Sequence, residues 1–136
     1  MQAKEFMLQV QRAENELLGI SAKKRHYIDL VQAIGAKMSS TVVQGSNGAS
    51  KTETAAIGLY EMTKLLEEKE KEYVELIKKA EELIAKISQQ KFRDVLTYRY
   101  LCRHSWKTIR DEMDYKDEKS VFRCHGYALK ELQKVM

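Results

Sequence analysis

Apolar residues recur at alternating spacings of four and three residues over two long stretches of this chain, and no other feature constrains its fold as strongly. Such a seven-residue repeat places an apolar seam along one side of a helix, and a second helix must cover it. The first seam comprises Phe6, Val10, Ala13, Leu17, Ile20, Lys24, Tyr27, Val31, Ile34 and Met38. The second comprises Leu59, Met62, Leu66, Lys69, Tyr73, Leu76, Ala80, Leu83 and Ile87. Because the chain has no proline to break either run, we predict two long helices.

Between the two seams, the stretch SSTVVQGSNGASKTET holds residues that favour turns. We predict a flexible loop over residues 39–52, with Thr52 or Thr54 capping the second helix. The loop lets the two helices fold back on each other as a long antiparallel, coiled-coil-like hairpin. The same seams would also pair helices from different chains and give a homo-oligomer, and the sequence leaves both arrangements open.

Residues 91–136 change to shorter apolar runs. Ser105 precedes the run that starts at Trp106, and Asp117 precedes the last run, so each is expected to cap a helix. Asp114 stands at the break between these runs, where left-handed backbone is common and aspartate tolerates it. The apolar face of the last helix is expected to comprise Val121, Cys124, Ala128, Leu129 and Leu132. The pattern predicts three short helices, the last two separated by a tight turn.

Composition and motif content argue against several classes of function. No apolar run approaches the roughly 20 residues of a membrane span, and the N-terminus lacks the apolar stretch of a secretory signal. Cys102, His104, Cys124 and His125 do not have the spacing of a zinc finger, so we expect no metal and no cofactor. No nucleophile–base pair, phosphate-binding glycine loop or carboxylate dyad is evident, so we do not expect an enzyme. We expect a cytoplasmic protein with reduced cysteines.

The positive charge of the chain is concentrated in its last third. The whole chain has a formal net charge of +4. Residues 91–136 alone hold 11 Lys and Arg against 7 Asp and Glu, whereas residues 51–90 carry an acidic excess. A basic excess around short helices suits contact with the phosphates of DNA.

The stretch RDVLTYRYLCRHSWKTIRDEMDYKDEKSVFRCHGYALKEL resembles the C-terminal, promoter-recognising domain of sigma factors. The matching positions are Arg93, Val95, Leu96, Arg99, Tyr100, Trp106, Ile109, Met113, Asp114, Tyr115, Ala128, Leu129 and Leu132. From its KEFMLQV start to its end, the chain is similar to small sigma-like proteins of phages and prophages. These are related to the ArpU/RinA-type regulators of phage late transcription.

This resemblance implies an all-α fold in which a helical hairpin, residues 1–90, precedes a three-helix helix-turn-helix domain, residues 91–136. It implies a phage-derived, DNA-binding transcription regulator of the bacterial cytoplasm, with double-stranded DNA and RNA polymerase as partners. If the last helix enters the major groove, the side chains facing the bases are Lys119, Ser120, Phe122, Arg123 and Tyr127. The side chains placed for phosphate contacts are Arg103, Lys107, Arg110, Lys116 and Lys130.

Two other classes of function stay open on the sequence. Acidic Asp117 and Glu118 stand at the N-terminal end of the candidate recognition helix, where carboxylates oppose the phosphates of DNA. They favour a protein-interaction module in which the helix-turn-helix serves only as a packed platform. A small terminase subunit, which takes part in phage DNA packaging, also joins a helix-turn-helix to oligomerising helices.

Overall fold

A computed structural model describes residues 1–40 and 47–136, without the side chains of 38–40 and 47–49. The helices are α1 (Ala3–Ser40), α2 (Asn47–Ala85), α3 (Gln90–Leu96), which continues into a π-helical turn (Thr97–Leu101), α4 (Trp106–Glu112) and α5 (Glu118–Val135). The described residues contain no strand, so the all-α prediction is confirmed. No helix in this part of the chain is long and apolar enough to cross a membrane.

The second long helix begins earlier than the turn residues predict. Helix α2 starts at Asn47, so Thr52 and Thr54 lie inside it and the prediction that one of them caps the helix is wrong. The Thr54 hydroxyl instead donates a hydrogen bond of 2.9 Å to the Ser50 carbonyl, one turn back in the same helix. The two helices also extend into both ends of the predicted loop, whose residues 41–46 lie outside the described part.

The chain divides into two compact units, and α1 and α2 contribute to both. The first, here called the core unit, joins residues 1–14 to residues 72–136. Its apolar core is one cluster of buried side chains: Ala3, Phe6, Met7, Val10, Ala80, Ile84, Ile87, Phe92, Val95, Leu96, Tyr100, Ile109, Val121, Cys124, Ala128 and Leu132. The three C-terminal helices therefore share their core with the first turns of α1 and the last turns of α2.

The second unit, here called the helix-pair unit, comprises residues 15–71. Within it α1 and α2 pack together and run in opposite directions, since Lys69 Nζ lies 3.4 Å from Glu16 Oε1 and Tyr27 lies against Gly58. A Cβ atom at position 58 would stand 2.6 Å from Cζ of Tyr27, so glycine permits this close approach. The lysine that interrupts the second seam is thus partnered by a glutamate of the facing helix.

Candidate nucleic-acid interface

Helix α4 begins and ends at the residues that the sequence indicates. Ser105 caps its start, because the Ser105 Oγ accepts a hydrogen bond of 3.2 Å from the Thr108 backbone N–H. At its end Asp114 has a φ of 57°, as predicted. The Tyr115 N–H bonds to the Arg110 carbonyl at 3.0 Å and the Asp114 N–H to the Asp111 carbonyl at 3.3 Å. These two hydrogen bonds form a Schellman motif, which ends α4 and turns the chain towards α5.

Asp117 caps α5, as the sequence predicts. Its Oδ1 accepts hydrogen bonds from the Ser120 backbone N–H and from the Ser120 hydroxyl, both at 2.9 Å. These two bonds hold the pKa of the Asp117 carboxyl below its usual value, the backbone bond having the larger effect. One of the two carboxylates at this helix end therefore has a structural role as the helix cap.

The inner face of α5 is packed along its length, and its end is tied to the start of α1. Val121, Cys124, Ala128 and Leu132 are buried and Leu129 is half-buried, which confirms the predicted apolar face. These side chains face α3 and α4, against which α5 packs. At the far end, Oε1 of Gln133 accepts a hydrogen bond of 2.7 Å from the Ala3 N–H, one of the unpaired donors at the start of α1.

The outer face of α5 carries the predicted base-contacting residues. Four of the five are exposed, namely Lys119, Phe122, Arg123 and Tyr127. The fifth, Ser120, is half-buried, and its hydroxyl is engaged with Asp117. Phe122 and Tyr127 keep 46% and 52% of their surface exposed, so this face carries aromatic rings as well as cations. The two faces of α5 thus differ sharply in both charge and exposure.

The predicted phosphate-contacting residues fall into two groups. Lys107, Lys116 and Lys130 are exposed. Arg103 is tied to α1, since its Nη1 lies 3.3 Å from Glu14 Oε2 and 3.1 Å from the Gln11 carbonyl oxygen. The guanidinium of Arg110 donates two hydrogen bonds, of 3.1 and 3.0 Å, to Oδ1 of the adjacent Asp111. A DNA contact by either arginine would compete with a bond inside the protein. The three lysines are exposed, and Lys130 Nζ lies 5.6 Å from the centre of the Tyr127 ring.

Lys91 is a cation beside Arg123 that sequence reasoning missed. A cavity of about 150 Å³ is lined by Lys91, Phe92, Tyr115, Ser120, Arg123, Cys124 and Tyr127. Burial raises the pKa of the Cys124 thiol. The pKa of Tyr115 is raised to about 12, mainly by burial and to a smaller extent by a hydrogen bond with Cys124. Both groups are therefore neutral near pH 7, and the charge lining this cavity is positive. No local sequence pattern indicates that Lys91 lies near Arg123, which is far along the chain.

A cluster of aromatic rings lies between α4 and α5. Trp106 lies edge-on to Phe122 with ring centroids 5.1 Å apart, and edge-on to His125 at 4.9 Å. The Arg99 guanidinium lies over the Trp106 ring at 4.1 Å, close enough for a cation–π interaction. Local spacing does not identify Phe122 and His125 as the ring partners of Trp106, because both lie on a different helix. Phe122 thus packs against Trp106 while 46% of its surface stays exposed.

The environment of His125 in this cluster leads us to expect that the stability of the fold depends on pH. Its Nε2 lies 2.7 Å from the Tyr100 hydroxyl, and burial, with the nearby charges of Arg99 and Lys4, lowers its pKa to about 4. Above the unfolded pKa of 6.5 the ring is neutral in both states. Below that value the unfolded chain binds a proton that the folded chain rejects, so the free energy of unfolding falls as pH drops from 6.5 towards about 4.

We therefore expect the melting temperature to fall between pH 6.5 and about 5, above the range where most carboxylates titrate. The His125→Phe variant removes this titrating group, and its melting temperature should change less over the same range. His26→Asn is the matched control, since His26 is exposed, and it should keep the wild-type pH dependence. Equal slopes for wild type and His125→Phe would contradict the prediction.

Within the described residues no group of three His, Cys, Asp or Glu side chains is arranged to hold a metal ion. A family model described as "Protein of unknown function (DUF1492)" matches residues 32–133, which is more than half of the chain and includes all five predicted base-contacting residues. Comparison with curated proteins and with solved structures finds no match to the chain.

Proposed function

We propose that this chain, which belongs to the DUF1492 family, is a transcription regulator that binds double-stranded DNA with α5 as its recognition helix. One observation carries the proposal. Helix α5 buries Val121, Cys124, Ala128 and Leu132 on one face. It presents Lys119, Arg123 and Lys130, with Phe122 and Tyr127, away from that face. A helix of this kind fits the width of the DNA major groove and can place cations and rings against base edges and phosphates.

The arrangement of α4 and α5 supports the same proposal. The two helices are joined by the short turn from Met113 to Asp117, and α5 packs on α3 and α4. We interpret α3, α4 and α5 as a helix-turn-helix of the sigma-factor kind. With the resemblance to small phage and prophage regulators, this interpretation extends the proposal to phage-type transcription, with RNA polymerase as a further partner in the cytoplasm of a bacterial host.

Each exposed side chain has a role suited to its chemistry. The Arg123 guanidinium is a fork of donors that matches O6 and N7 of a guanine, and the Phe122 ring suits the methyl group of a thymine. Lys119, Ser120 and Tyr127 are the remaining candidates for base contacts. Lys107, Lys116 and Lys130 would contact phosphates and set the register of the protein on the duplex. The cavity between α3 and α5 adds Lys91 to this second group.

Selection of bound duplexes from a random pool tests the proposal directly. We expect one sequence to be enriched, and its affinity to fall steeply as salt rises, because each phosphate contact releases a counterion. A wild-type protein that binds no duplex at low salt, where attraction to phosphates is strongest, would rule out this function.

A second test asks whether the negative charge at the N-terminal end of α5 weakens DNA binding. Asparagine caps helices as well as aspartate does, so Asp117→Asn should keep the helix start and remove one negative charge. We expect this variant to bind duplex DNA roughly two- to fivefold more tightly at low salt, since a carboxylate near phosphates repels them. Fluorescence anisotropy with a labelled duplex measures the change.

Asp29→Asn is the control for Asp117→Asn, because it makes the same change of charge at an exposed residue of the helix-pair unit. It should leave the affinity unchanged. Weaker binding by Asp117→Asn would contradict repulsion and would instead indicate that the carboxylate accepts a hydrogen bond from a base, such as the amino group of a cytosine.

A protein-interaction module is the second candidate, and the helix-pair unit favours it. Leu18, Ile57 and Tyr60 lie in this unit and expose 62%, 52% and 61% of their surface. Where large apolar side chains form one exposed patch, they mark a surface that a partner covers, and these three are candidates for such a patch. A protein that binds no duplex, and that exceeds the mass of one chain in light scattering, would favour this candidate.

A further inference from the structure

Gly126 occupies the middle of the cationic face of α5. Residues 119, 123, 126 and 130 follow one another at helical spacings of four, three and four, so they form one stripe. Lys119 and Arg123 precede Gly126 in this stripe and Lys130 follows it, and all four residues are exposed. The centre of the most basic surface of the helix therefore has no side chain.

In the described part of the protein, no neighbouring atom requires a glycine at this position. A Cβ atom built on Gly126 would have no heavy atom within 4 Å, and the residue lies within regular helix. Gly58 differs from Gly126 in this respect, because a Cβ atom at Gly58 would collide with the Tyr27 ring. A glycine within a helix lowers helix stability relative to alanine. The fold therefore gains nothing from Gly126 and would be more stable without it.

We infer that Gly126 is the point where the backbone of α5 comes closest to bound double-stranded DNA. The inference rests on the proposed function. Cations on both sides of Gly126 attract the phosphates that border a groove, and this attraction draws the centre of the stripe inward. At the centre of such a contact, a missing Cβ lets the helix backbone approach DNA more closely than any other residue would allow. Duplex DNA is the partner that the charge of this stripe fits.

Gly126 differs from the other open glycine positions of the helices in its surroundings. Gly19 and Gly35 of α1 are also exposed, and a Cβ there would also meet nothing within 4 Å. The helical neighbours of Gly19 are Asn15, Glu16, Ala22 and Lys23, a set of mixed charge. These two positions share the openness of Gly126 without its cationic stripe, so they provide matched controls.

Substitution of Gly126 separates a role in binding from a role in folding. We expect Gly126→Ala to raise the melting temperature and to weaken binding to the selected duplex about tenfold, which equals about 1.4 kcal/mol. Gly126→Leu should weaken binding further while the helix content by circular dichroism stays at the wild-type level. Gly19→Ala and Gly35→Ala should raise the melting temperature and leave the affinity for the same duplex unchanged.

The outcomes that overturn the inference differ from those that overturn the proposed function. Wild-type protein that binds no duplex would overturn both. Wild-type binding that Gly126→Ala and Gly126→Leu retain in full would overturn only the role of Gly126. A lower melting temperature for Gly126→Ala would show that the fold itself needs the glycine, and it would also overturn the inference.

Discussion

Replacing Met7 with alanine should lower the free energy of unfolding by about 2–5 kcal/mol, the usual cost of emptying a fully buried site of this size. The Met7 side chain has no exposed surface and belongs to the same buried cluster as Leu96, Ile109 and Leu132. Its loss should therefore destabilise α3, α4 and α5 together with α1. Chemical denaturation with circular dichroism and fluorescence measures the change.

Trp106 makes this experiment specific, because it is the only tryptophan of the chain and lies half-buried on α4. Its emission should shift at the same denaturant concentration as the loss of helix, and both midpoints should fall in Met7→Ala. Gln9→Ala alters an exposed residue of the same turns of α1 and should move neither midpoint appreciably. If the Trp106 transition stayed at the wild-type midpoint while helix content fell, residues 91–136 would be folding without α1.

Replacing Arg123 with alanine should weaken binding to the selected duplex by about 1–3 kcal/mol and reduce the preference for guanine at one position. Arg123 is exposed on the outer face of α5, beside the cavity that Lys91 and Tyr127 also line. Arg123→Lys keeps the charge but loses the fork of two parallel donors, so it should bind random duplexes almost normally and still lose the preference. Anisotropy titrations with selected and random duplexes measure both effects.

Two control variants separate base reading from attraction to phosphate. Lys107→Ala should weaken binding to selected and random duplexes alike and lower the salt dependence by about one phosphate contact. Arg25→Ala removes an exposed arginine of the helix-pair unit and should change neither. Equal losses on both kinds of duplex for Arg123→Ala and Lys107→Ala would show that Arg123 contacts phosphate rather than a base.

Features that depend on a few neighbouring residues could be predicted from the sequence. Ser105 and Asp117 were predicted as caps because a side-chain oxygen needs only to reach an N–H three residues ahead. Asp114 was predicted as left-handed because backbone sterics are local. The buried face of α5 followed from helical periodicity alone. Each of these properties is encoded within one or two helical turns.

Features that depend on distant residues could not be predicted in this way. The two seams identified Phe6 and Val10 but not Met7, because a seven-residue repeat anticipates one covering helix, whereas Met7 lies off the seam and is buried in a cluster shared with three further helices. Likewise, no local pattern indicates that Arg103 pairs with Glu14, 89 residues away.

The candidate interface combines both kinds of information. Periodicity identified the outer face of α5, and with it Lys119, Arg123 and Tyr127. Folding added Lys91 from the start of α3 and the hydrogen bond that ties Gln133 to Ala3. Helix ends and helix faces are local, so they are written in short patterns. Which helices pack together depends on burial summed over the whole chain, and no short pattern records it.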